Sequence, residues 1–130
     1  MNDKLILLDT TIIVDFLRGD SKVGAFLNNL QDTPTISLIT EAEIYQGAKN
    51  TADLKKWENF ISKLKVLPVT LEISLLAINL LKRYYLSHGL HILDALIAAT
   101  AFVHHHTLVT SNTKHFQMIK DLDLKPWPLH

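Results

Sequence analysis

Short apolar runs alternate along this chain with segments whose apolar residues recur at helical spacing, and that alternation restricts the fold more than any other feature. Lys4 to Leu8, Thr35 to Ile39 and Thr107 to Thr110 are brief and largely apolar or β-branched, as buried strands are, while Val66-Leu67-Pro68-Val69 reads as a third strand or an edge segment. Helical patterns fill the intervals. Ile12, Ile13, Phe16 and Leu17 share a face after Thr10-Thr11 and before Gly19, and Ser21 to Leu30 follows, with Ser21 as cap and Val23, Phe26, Leu27 and Leu30 inward. Thr40 is placed to cap a helix ended by a left-handed Gly47, and Thr51 starts another carrying Leu54, Trp57, Phe60 and Ile61. Leu71 to Ser87 gives the longest amphipathic helix, with Leu71, Leu75, Ile78, Leu81 and Tyr85 on the expected buried face and Gly89 closing it. Ile92 to Val103 is apolar enough to be central, and a short helix with Phe116 and Ile119 precedes a last edge strand near Trp127. The pattern predicts an α/β fold, a mostly parallel sheet of about four or five strands with helices on both sides.

With 130 residues, 48% of them hydrophobic, the chain is expected to form one domain over residues 1–130. It has no cysteine, so disulfides and thiolate metal sites are excluded and a reducing, cytoplasmic setting is expected. Asp9 ends the first apolar run too early for a signal peptide, and no uncharged apolar stretch approaches the roughly 18 residues of a membrane span. Thirteen basic and thirteen acidic residues cancel. A polyanion would therefore be held locally, not by a global field.

Three acids stand where core would otherwise continue. Asp9 closes the first strand run, Glu43 follows Ile36 to Thr40, and Asp94 lies between Leu93 and Ala95-Leu96-Ile97-Ala98-Ala99. In parallel sheets ligands sit beyond the carboxyl ends of strands, where Asp9, Thr110 and Asn112 fall. Carboxylates about 4 Å apart repel by roughly 4 kcal/mol at an effective dielectric of 20, so convergence calls for a cation. Oxygen ligands favour Mg²⁺ or Mn²⁺. Each acid also has a purely structural explanation: Asp9 as a helix cap, Glu43 as the return arm of a capping box from Thr40, Asp94 as a charge favoured near a helix start. The seven histidines carry no specific metal spacing; His88, His91 and the tract His104-His105-His106 read as solvated helix-end residues, and His115 as a rim residue. Tyr45, Trp57 and Phe60 suit either core packing or the stacking of bases or a partner helix.

Taken in order, four segments resemble PIN-domain proteins of the VapC toxin type: Leu7 to Gly19 around Asp9, Ser37 to Ala48 around Glu43, Ile92 to Ala101 around Asp94, and Leu108 to Phe116 around Thr110. The resemblance implies a metal-dependent endoribonuclease, the toxin of a toxin–antitoxin pair, that hydrolyses RNA to 5′-phosphate and 3′-hydroxyl ends. It further implies that Asp9, Glu43 and Asp94 hold Mg²⁺ or Mn²⁺, with Thr110 as the hydroxyl residue of the strand end. The fourth position of the pattern is often aspartate, and this chain has Asn112. One firmly held cation is therefore expected, a second arriving with the substrate phosphate. Expected partners are RNA, a VapB-like antitoxin and, as a further candidate, a second copy of the chain. The alternative is a catalytically weak PIN-like module that binds RNA or antitoxin without turnover.

Overall fold

The protein is described by a computed structural model over residues 5–128, so that Lys4, the expected first strand residue, lies outside the described residues. Strands β1 (Ile6–Leu8), β2 (Thr35–Ser37), β3 (Lys65–Leu67), β4 (Thr107–Thr110) and β5 (Leu124–Pro126) form one sheet in the order β3-β2-β1-β4-β5. Every pairing is parallel, with Leu7 opposite Thr35 and Leu108, Ser37 opposite Leu67, and Thr110 opposite Pro126. Successive side chains leave a strand on opposite faces, so each apolar run feeds two cores. Leu7, Leu108 and Leu67 enter one; Leu8, Val109 and Ile36 enter the other.

Helices α1 (Thr10–Leu17), α2 (Ser21–Asn28) and α4 (Thr51–Ile61) cover the second core with Ile12, Ile13, Val23 and Ile61. Helices α5 (Leu71–His88) and α6 (Ile92–His104) cover the first. Between β2 and α4, helix α3 (Leu38–Gln46) touches both α1 and α6, sending Ile39 to one core and Ile44 to the other. Because the chain runs outward from β1 through β2 and β3, then returns to its other side for β4 and β5, the switch point lies between β1 and β4. The carboxyl ends of those two strands are where a ligand site belongs.

The long helix α5 buries a different face from the one expected. Ile73, Ala77, Leu80 and Tyr84 point inward, while Leu71, Leu75, Ile78 and Tyr85 are exposed, at 75%, 58%, 46% and 57%. Both stripes are helically spaced. The inward one carries small Ala77, which suits close packing against the alanine-rich face of α6, Ala95, Ala98, Ala99 and Ala101. Capping differs as well. Asp20, not Ser21, caps α2, its carboxylate accepting from the amides of Lys22 and Val23 at 2.9 and 3.2 Å. β2 stops at Ser37, whose hydroxyl accepts from the Ile39 amide at 3.0 Å and starts α3 three residues ahead of Thr40. Gly47 has φ −83°, not a left-handed conformation, whereas Gly89 has φ +69° and ends α5 as expected. His104 is only partly solvated: its Nε2 is buried without a hydrogen-bond partner among the described residues, and burial, with His106 and Lys65 nearby, holds its pKa below the ordinary value. Among the described residues no helix is long and apolar enough to cross a membrane.

Candidate active site

Asp9 follows β1 and is 4% exposed. It occupies the cap position of α1, yet its side chain bonds none of the free helix amides. Both bonds it receives come instead from hydroxyls: Thr110 Oγ1 donates to Oδ2 at 2.7 Å and Thr11 Oγ1 to the same oxygen at 3.0 Å. Those hydroxyls are held in turn, since the Asn112 amide donates to Thr110 Oγ1 at 2.9 Å and the Ser111 amide to Thr11 Oγ1 at 3.2 Å. Backbone beyond β4 thus orients the carboxylate beyond β1. Among the described residues no hydrogen bond falls on Oδ1, the oxygen left for an incoming ligand. Thr110 is fully buried, so its hydroxyl has no solvent to replace these partners. Thr110→Val is expected to lower unfolding free energy by about 1–3 kcal/mol in denaturant melts, with Thr110→Ser close to the parent.

Glu43 sits within α3, where the expected capping box does not form because Thr40 is already inside the helix. Its Oε1 accepts the Thr10 hydroxyl proton at 2.6 Å. Thr10 Oγ1 also lies 3.0 Å from Thr40 Oγ1, and with its proton spent on Glu43 it must accept from Thr40. A hydroxyl chain from α3 through α1 therefore fixes the glutamate.

Asp94, in the first turn of α6, receives the imidazole of His115, Nδ1 to Oδ2 at 3.2 Å. The other ring nitrogen is 3.1 Å from Nδ2 of Asn112. With a proton on Nδ1 the ring donates to the Asp94 carboxylate, while Nε2 faces the side-chain amide of Asn112. Burial pushes the Asp94 carboxyl above the ordinary carboxylate range; His115 and His91 oppose that shift, and Asp9 and Glu43 add to it. Asp94, on α6, thus lies within electrostatic reach of Asp9 at the β1–α1 junction and of Glu43 on α3.

The arrangement is looser than the expected cage. Among the described residues no three acidic or imidazole side chains form a group ready to hold a metal ion. Each acid has a neutral or imidazole partner of its own, which keeps mutually repelling charges from being drawn together. As a donor set, carboxylates with hydroxyls and an amide still fit a hard divalent cation better than zinc. Asn112 stands at the edge of this group, tied to His115. Sequence reasoning overlooked Thr10, Thr11, Thr40 and the pairing of His115 with Asp94. The direct succession of Thr10 and Thr11 on Asp9 was the available signal, since consecutive hydroxyls leave a helix start in different directions.

The family model of the PIN domain matches residues 6–121. Ribonuclease VapC19 of Mycobacterium tuberculosis is 37% identical over 121 residues, covering 89% of this chain and 95% of that protein. Among solved structures, a toxin–antitoxin complex from Klebsiella pneumoniae contains a chain similar at 29% identity and a TM-score of 0.77, over 90% of this chain and 94% of that one. VapBC2 from Rickettsia felis, bound to a DNA fragment from its promoter, is similar at the same identity and TM-score over 95% and 98%.

Proposed function

Because the chain belongs to the PIN-domain family of VapC ribonucleases, we propose that it is the endoribonuclease toxin of a VapBC pair, using Mg²⁺ or Mn²⁺ to hydrolyse RNA. The observation that carries the reading is the gathering of Asp9, Glu43 and Asp94 near the sheet switch point, where Thr10 beside Asp9 bonds Glu43 and both acids add to the upward shift that burial gives the Asp94 carboxyl. A hard cation is the ligand that would relieve it. Asp9, through Oδ1, and Asp94 would hold the ion, with Glu43 contributing directly or through water. When bound, a divalent cation supplies charge neutralisation at phosphorus and acidity to activate water.

The chain's own groups do the rest. Glu43, with Oε1 fixed by Thr10, can orient the attacking water with its second oxygen. Thr110 and Thr11 hold Asp9 so that it need not reorganise as charge develops. Water adds to phosphorus, the bond to the 3′-oxygen breaks, and that oxygen leaves with a proton. His115 must yield its hold on Asp94 or keep it at one oxygen only.

Cleavage of single-stranded RNA is expected to vanish in EDTA and return when Mg²⁺ or Mn²⁺ is added back. Activity that persists in EDTA would favour a metal-free nuclease using His88, His91 or the tract His104 to His106 instead, and RNA binding without turnover under any ion would favour the binding-module alternative. A small neighbouring protein is expected to co-purify and suppress cleavage, as the solved toxin–antitoxin relatives suggest. A chain that co-purifies alone and is harmless when expressed would count against the toxin assignment.

A further inference from the structure

We propose that the pocket between α1, the end of α3 and α4 is a nucleobase site, in which Trp57 stacks on a base of the RNA next to the scissile phosphate. The proposal rests on the ribonuclease reading and extends it to substrate choice. The pocket measures about 410 Å³. That is within the roughly 300–1,000 Å³ of sites that enclose a small ligand. Val14, Leu17, Ile44 and the Trp57 indole supply apolar walls. Glu43 lines it too, so the pocket opens onto the carboxylate site and its occupant lies close to any phosphate held there.

Its lining is charged in both signs, with Asp53 and Glu43 beside Arg18 and Lys49. Arg18 and Lys49, both exposed, line the opening from α1 and the α3–α4 loop. An apolar slot with an aromatic wall suits a base, whose stacking does not depend on the net charge of the rim, and the exposed Arg18 and Lys49 are the groups there that suit the flanking phosphates. Trp57 is also only half-buried, unlike a core aromatic such as Phe116.

The experiment titrates the full chain carrying Asp9→Asn with short single-stranded RNA and with an abasic ribose-phosphate oligomer of equal length, reading tryptophan emission. RNA is expected to quench, the abasic oligomer is not, and adding Trp57→Leu removes the quench and weakens RNA binding roughly 5- to 150-fold. In the otherwise native chain, Trp57→Leu is expected to raise KM by a similar factor, change kcat much less, and alter which bases flank the cut ends. Equal quenching by the abasic oligomer, or Trp57→Leu with parental affinity and cut ends, overturns the base site while leaving the ribonuclease reading intact. Quenching by an amphipathic apolar peptide but not by RNA makes the pocket a protein seat and overturns it likewise. Base-dependent quenching with no cleavage by the native chain in any ion overturns the ribonuclease reading and not the base site.

Discussion

Asp94→Asn is expected to abolish RNA cleavage and, in metal-free buffer at neutral pH, to melt above the parent protein. The Asp94 carboxyl has its folded pKa raised above the unfolded value, first by burial and then by Asp9 and Glu43, against the opposing pull of His115 and His91. For an acid shifted this way the folded state binds the proton more tightly, so ionisation costs stability. The cost is absent below the unfolded value near 3.8, grows as pH rises from there to the folded value, and is constant above it. A neutral amide removes it. In a domain of this size each kcal/mol relieved is worth about 3–5 °C of melting temperature. The gain should shrink to nothing as pH falls below the unfolded value, and Mn²⁺ should raise the melting temperature of the parent but not of the variant. An Asp94→Asn protein that melts lower at pH 7 in EDTA, or cuts RNA at the parental rate, would remove Asp94 from the proposed site.

At Asp9 the choice of replacement matters more than the loss of charge. Asp9→Asn keeps an oxygen able to accept from Thr11 or Thr110, so the fold is expected to survive while cleavage falls by more than the roughly 10–100-fold that changes around a metal's ligands cost. Asp9→Ala leaves both hydroxyls without their acceptor, that of Thr110 fully buried and that of Thr11 half-buried. An orphaned group as buried as the Thr110 hydroxyl costs about 1–3 kcal/mol, so this variant should unfold at lower denaturant. The two variants share one activity and differ in stability. Equal melting of Asn and Ala variants would show that the hydroxyl clamp on Asp9 is energetically idle.

The strands and the helix order were readable because each run was short, apolar and ended by a group that cannot continue it, as Asp9 ends β1. Two local features misled. Helix α5 offers two apolar stripes of equal spacing, and only the neighbouring alanines of α6 decide that Ala77 and Leu80 go inward while Leu75 and Ile78 do not. Ser37 and Thr40 are both hydroxyl residues able to start α3, and the choice falls to Ser37 because its pairing with Leu67 is the last of β2. In the site, the positions of Asp9, Glu43 and Asp94 could be read from interrupted apolar runs, but what holds them could not. The bond from Thr110 to Asp9 spans 101 residues, and that from Thr10 to Glu43 spans 33. No periodicity within a window records such pairings.

Placing β1 in the middle of the sheet has a consequence for how the molecule comes to exist on a ribosome. Strand β1 waits for a neighbour, β4, that is made long after it, and Asp9 acquires its Thr110 clamp, 101 residues away, only when that strand has docked. Such distant pairing is slow to form, because loop closure comes before any contact rewards it. A nascent chain halted before Thr107 would lack the Thr110 hydroxyl that orients Asp9, although Thr10 and Thr40 are already there to hold Glu43.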